Sequence, residues 1–164
     1  MRVRIGVGLS HPRFGRLMLV KQQSEPQYDW SIRMKSQFPS AQEYSAQTAS
    51  YPALAVVDIR AEQAVVTEAY RNQVLLDVNT DCIRLAVFEG EYRWHQHPDS
   101  DELFLVVAGS LQIDLAGGSR IELTEWQSVV IPAGTVHRTR AIGRTVNITC
   151  EKIGAQTVFV ETAV

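Results

Sequence analysis

The chain is short of several things, and each shortage removes a class of function. Its 164 residues contain only two cysteines, Cys82 and Cys150, with no CxxC pair. That excludes a disulfide-dense secreted scaffold and a cysteine-rich zinc module, and leaves two reduced, mostly buried thiols as the expectation. Charge of one sign is also missing: 16 basic residues against 18 acidic give a net charge of -2. No electrostatic footprint for nucleic acid or an acidic membrane surface follows from that balance. No run approaches the ~20 apolar residues of a membrane span. The opening "MRVRIGVGLSHPRFGRLMLV" is broken by His11, Pro12, Arg13 and Arg16, a poor signal sequence, so the expected location is the cytoplasm. A glycine-rich phosphate loop, a GxSxG nucleophile elbow and low-complexity tracts are likewise missing.

What is present has two textures. Residues 1–52 read as an N-terminal arm or extension. Val3–Val7 and Leu17–Val20 could add strands, and the polar stretch from Lys21 to Pro52 reads as a loop, an extended arm or an ordered flap. Ser40 and Glu43 have the spacing of a capping box for a short helix. Residues 53–164 read as one β-rich domain. A helical piece at Ile59–Ala64, with Asp58 as N-cap, precedes many short apolar segments. The expected strands are Cys82–Phe88, Tyr92–His97, Glu102–Ala108, Leu111–Leu115, Arg120–Leu123, Ser128–Ile131, Val136–Ala141, Thr145–Glu151 and Val158–Glu161. Turn signals such as "HPDSD", "AGGSR", "PAG" and "AIGR" separate them. Short strands at regular spacing, without alternating helices, predict an all-β sandwich or barrel.

Histidine is scarce, with four in the chain, and two of them, His95 and His97, lie one residue apart. On a strand, residues i and i+2 share a face about 6.6 Å apart, given ~3.3 Å per residue. Imidazole nitrogens bind transition metals at about 2.0–2.1 Å, so two such rings can converge on one ion. If "PDSD" turns the chain, Glu102 returns beside the pair, and His137, after a Pro-x-Gly turn, supplies a distant fourth candidate. An HxH pair alone is more often incidental than a metal site; with Glu102 and His137 added, composition and periodicity do not choose between the two readings.

These residues resemble the cupin superfamily, and in particular its small single-domain bacterial members. Gly90, His95, His97, Glu102 and Gly109 follow the first family motif, and "SVVIPAGTVH", with Pro132, Gly134 and His137, follows the second. The likeness covers roughly residues 53–164. There are departures. Four residues separate Gly90 from His95, one fewer than usual; Trp126 stands at a position normally glycine, and Ala141 at one often asparagine. The resemblance implies a cupin-type jelly-roll (double-stranded β-helix) barrel. It also implies one divalent transition metal held by His95, His97, Glu102 and His137, with Fe, Mn, Ni, Zn and Cu not distinguishable.

Strand parity extended from His95 and His97 places Arg93 and Glu91 inward and turns Tyr92, Trp94 and Gln96 away. The same count places Phe104, Val106 and Thr139 inward. Arg93, Tyr92 and Glu91 are the weak catalytic candidates; Arg93 could hold an anionic substrate group or close a rim salt bridge. "LFLVVA" is apolar at every position, so both of its faces should be covered, which suggests a homodimer or an arm packing across. The functional expectation is a metal-dependent enzyme acting on a small organic molecule, with isomerase, dioxygenase and lyase chemistry unresolved. The alternatives are a non-catalytic binding or sensing cupin and a cupin with a purely structural metal.

Overall fold

A computed structural model describes residues 38–161. The expected strands at Val3–Val7 and Leu17–Val20 lie outside the described residues. Two short helices come first: α1 (Ala41–Ser45) and α2 (Ile59–Ala64). Both start where their caps dictate. The Ser40 hydroxyl accepts from the Glu43 amide while the Glu43 carboxylate accepts from the Ser40 amide, closing the capping box. The Asp58 carboxylate accepts from the amides of Arg60 and Ala61.

Nine strands follow: β1 (Tyr70–Val78), β2 (Asp81–Glu91), β3 (His95–Gln96), β4 (Glu102–Ala108), β5 (Ser110–Leu115), β6 (Arg120–Thr124), β7 (Ser128–Ile131), β8 (His137–Lys152) and β9 (Val158–Phe159). Every ladder is antiparallel, and β8 is the hub, pairing with β2, β3, β4 and β5. The sheet curls into an all-β jelly-roll. Its inner face holds Phe88, Phe104, Val106, Leu111, Ile113 and Ile131, all buried. Outside, Leu75, Leu85, Val87 and Val146 form a second cluster with Val57 and Ile59 of the α2 segment packed against it. Val107, Ala108 and Ile148 pack on the same cluster, so the outer face of β4 meets the chain's own residues. Both cysteines are free thiols. No helix among the described residues is long and apolar enough to cross a membrane.

Three expectations need correction. The segments Val136–Ala141 and Thr145–Glu151 are one strand. "AIGR" is not a turn but an irregularity inside β8: Gly90 pairs with Ala141 and Phe88 with Thr145, and Gly143 takes φ 69° at the extra residues. Residues 137–141 thereby pair with β5 and residues 146–150 with β4. The predicted strand Tyr92–His97 shrinks to His95–Gln96, because residues 92–94 are irregular. Lastly, β1 was not expected. Its alternation is broken by a shift between Val74 and Leu76, which buries both Val74 and Leu75.

Candidate metal centre

The site forms where β3, β4 and the start of β8 meet. His95 pairs directly with His137 across the β3–β8 ladder, and Glu102 opens β4. "PDSD" does return the chain: Asp101 accepts from the Ala133 amide and Gly134 donates to the His97 carbonyl, which docks the Pro-x-Gly turn onto the first motif. His95, His97, Glu102 and His137 are each at most 4% exposed. Ligand atoms of His95, His97 and Glu102 all lie within 4.8 Å of one another. His137 Nε2 joins them 3.5 Å from Glu102 Oε2, and His97 Nε2 lies 3.4 Å from the same oxygen.

All three rings face the same way for a local reason. His95 Nδ1 donates to the Arg93 carbonyl, His97 Nδ1 to the Gln156 carbonyl and His137 Nδ1 to the Thr135 carbonyl, each at 2.9 Å. A carbonyl only accepts, so each Nδ1 carries a proton and each Nε2 points at the centre, where it presents a lone pair whenever it carries no proton of its own. His97 Nε2, His137 Nε2 and Glu102 Oε2 are buried without a hydrogen-bond partner. Buried polar atoms of this kind are rare and call for an occupant. The donor set, three imidazoles and one carboxylate, suits a transition metal.

The electrostatics agree. Burial, with His137 adding to it, pushes His95 down to about 3, so its imidazole is neutral at ordinary pH. Burial alone would also lower His97, but the adjacent Glu102 carboxylate and the charge of Glu151 hold it up to about 9. Burial opposes ionisation of Glu102, yet the closeness of His137 and His97 keeps it below the usual carboxylate range.

Tyr92, Arg93 and Glu91 fall differently from the parity count. Tyr92 lines the cavity, its ring edge-on to His95 at 5.1 Å and stacked on Tyr70 at 5.6 Å. Arg93 points elsewhere: its guanidinium lies 3.4 Å from the Phe159 ring centroid and donates to the Pro39 carbonyl at 2.7 Å. Glu91 is partly exposed and pairs with Arg138 and Arg140. The physical cause is the irregular stretch 92–94, where period-two alternation does not apply. Phe104 and Thr139 do face the cavity, as counted from Glu102 and His137.

Sequence reasoning missed a second polar group. Glu151, 2% exposed, has Oε2 at 3.8 Å from His97 Nε2. Burial and then the Glu102 charge raise it to about 7, against the pull of Arg84. Its Oε1 accepts from the Tyr44 hydroxyl at 2.7 Å, and Tyr44 stacks on His97 at 6.1 Å. The signal was in "NITCE", where Asn147, Thr149 and Glu151 alternate with Ile148 and Cys150. In a barrel whose interior carries chemistry, the polar face of that alternation points inward. The cavity between the aromatic side (Tyr70, Phe88, Tyr92) and this polar side (Asn147, Thr149, Thr157) has a volume of about 30 Å³.

The sequence and the fold have counterparts among known proteins. Residues 84–149 match the cupin domain family. Over 96 residues the chain is 51% identical to the uncharacterized protein YdbB of Bacillus subtilis (strain 168), covering 58% of this chain and 85% of that protein. The crystal structure of a cupin-2 domain containing protein from Shewanella frigidimarina NCIMB 400 is similar at 29% identity and TM-score 0.56, over 59% of this chain and 94% of that one. Protein NMB1881 from Neisseria meningitidis shares the fold at 22% identity and TM-score 0.56, over 60% of this chain and 99% of that one. A curled antiparallel barrel, both sequence motifs and a close relative matched over most of its length lead to one conclusion: the chain belongs to the cupin domain family.

Proposed function

We propose that this cupin binds one divalent transition metal through His95, His97, Glu102 and His137, and uses it to bind and transform a small organic molecule. The observation that carries the reading is the set of unpartnered, buried Nε2 and Oε2 atoms around one point, each imidazole fixed by a main-chain carbonyl. Four protein ligands leave one or two positions open on an ion that accepts five or six, and a metal with open positions acts as a Lewis acid or activates a bound molecule. The protein's share is orientation and exclusion of water. Tyr70, Phe88, Tyr92 and Phe104 give the cavity an apolar side, while Tyr44 closes over His97. A small-molecule substrate in the cytoplasm and a homodimer belong to the same proposal.

The test is a titration of metal-free protein with Co(II), followed by visible absorption. We expect saturation at about one ion per chain, with band intensities of a four- to five-coordinate nitrogen and oxygen site. His137→Ala should weaken binding by more than about ten-fold, since loss of even an outer-shell partner of a ligand costs about that much. Absence of saturable binding in the wild type would overturn the reading.

A further inference from the structure

The row Asn147, Thr149 and Glu151 on β8 is buried to within 2% of full enclosure and takes no part in holding the metal as proposed. Asn147 Oδ1, Thr149 Oγ1, Thr157 Oγ1 and Glu151 Oε2 all lack a hydrogen-bond partner. Leaving such atoms buried and unpaired is costly, so a polar occupant is called for.

Glu151 is the best defined of the four, because one of its oxygens is anchored and the other is free. Oε1 takes the Tyr44 hydroxyl at 2.7 Å and lies 3.3 Å from Arg84 Nη1. Arg84 is itself fixed: Nε donates to Asn72 Oδ1 at 2.9 Å, Nη2 donates to Gln47, and the guanidinium sits 3.8 Å from the Tyr44 ring centroid. Oε2 is left 3.8 Å from His97 Nε2, beside any ion that His97 and Glu102 hold. No lysine or arginine is among the described residues lining the cavity. Arg84 is occupied by Glu151, and Arg93 by Phe159 and the Pro39 carbonyl. Among the described residues, the surroundings of the metal position therefore offer an acceptor, Glu151 Oε2 beside His97, and no free cation.

We propose that Glu151 sets the ligand class of this cavity by accepting a hydrogen bond from the molecule bound at the metal. The cavity then selects small molecules whose metal-bound oxygen has an N–H or O–H donor next to it, as in a primary amide or a hydroxy carbonyl compound, over simple carboxylates. This inference rests on the metal reading above. It makes Glu151 a positioning residue, not a metal ligand.

Acetamide and acetate test it, because they share a shape and differ in whether the atom beside the metal-bound oxygen donates or accepts. Glu151→Gln keeps the side-chain shape. Its carbonyl oxygen stays with Tyr44 and Arg84, so its amide nitrogen turns a donor toward the metal. Dissociation constants for both probes are read from the Co(II) spectrum of loaded wild type and E151Q in alkaline buffer, with Co(II) stoichiometry measured alongside. The expected result is full Co(II) loading of both proteins and a shift of the acetate-to-acetamide affinity ratio toward acetate in E151Q by about ten-fold or more, the scale of a hydrogen bond to a charged group. The ratio compares two ligands on the same sample, so partial unfolding does not mimic the shift. An unchanged ratio with normal loading overturns the inference alone. Loss of Co(II) from E151Q overturns it by making Glu151 a ligand. Failure of the wild type to load overturns the metal reading as well.

Discussion

At the scale of single residues, two of the three imidazoles use the same device. His95 and His137 each donate Nδ1–H to the carbonyl two residues back, those of Arg93 and Thr135. The third, His97, reaches the Gln156 carbonyl in the segment before β9. Backbone carbonyls cannot change tautomer, so ring orientation is set by the fold and not by neighbouring side chains. Trp126 shows the opposite situation, a residue opposed by its own backbone. It takes φ 65° in the turn before β7, is 71% exposed, and donates its amide to the Val106 carbonyl at 2.7 Å. The family glycine at this position would adopt that conformation without strain. The left-handed region costs a residue with a Cβ about 1–2 kcal/mol, while glycine gives back about 0.5–1 kcal/mol in unfolded-chain entropy. Trp126→Gly is therefore expected to raise stability by up to about 1 kcal/mol, read as a Tm increase of about 2–4 °C by calorimetry. A fall in Tm would show that the indole's packing on the outer face outweighs the strain.

At the scale of elements, legibility in the sequence followed whether local rules governed the segment. The helix α2 and the strands β4 and β7 were readable to the residue, because caps, alternation and flanking turns agree there, whereas α1 showed only its capping box. The bent β8 was not, since Gly143 reads as a turn from sequence and only the pairing partners on both sides make it part of one strand. The inward row of β8 was missed for a related reason: polar alternation ordinarily means a solvent face. Placing Arg93 and Glu91 inward failed because three irregular residues reset the count. The two motifs, by contrast, implied that His95 and His137 face one point, though not that they pair across a ladder. The helix α1 carries a prediction of its own, since it delivers Tyr44 to Glu151. Ser40→Ala removes the N-cap and should cost about 1 kcal/mol of local stability, seen as faster amide exchange confined to α1 and its flanks. Tyr44→Phe removes the donor from a buried carboxylate and should cost about 1–3 kcal/mol globally in urea unfolding. Equal and local effects of the two changes would mean that Tyr44 is not coupled to the barrel interior.

At the scale of the molecule, the proposed centre joins three elements that are distant in sequence: β3, the start of β4 and the start of β8. The same interior holds an ion pair, Arg84–Glu151, that is nearly fully enclosed. A core of this polarity is not the arrangement that burial of apolar area favours, and the desolvation cost of buried charges is repaid only where good geometry and further hydrogen bonds satisfy them. The residues that would be costly to keep for folding alone are the ones that converge. Binding of an ion to the folded state alone would add stability in proportion to its occupancy, about 2.7 kcal/mol at a hundred-fold excess over Kd. The most direct measurement is elemental analysis of protein purified without added metal, repeated after exposure to Fe, Mn, Ni, Zn and Cu salts and compared with His97→Ala/Glu102→Ala. The account predicts about one transition-metal ion per wild-type chain and essentially none in the double variant. A wild-type protein that carries no metal and takes up none of the five, while remaining folded, would contradict it.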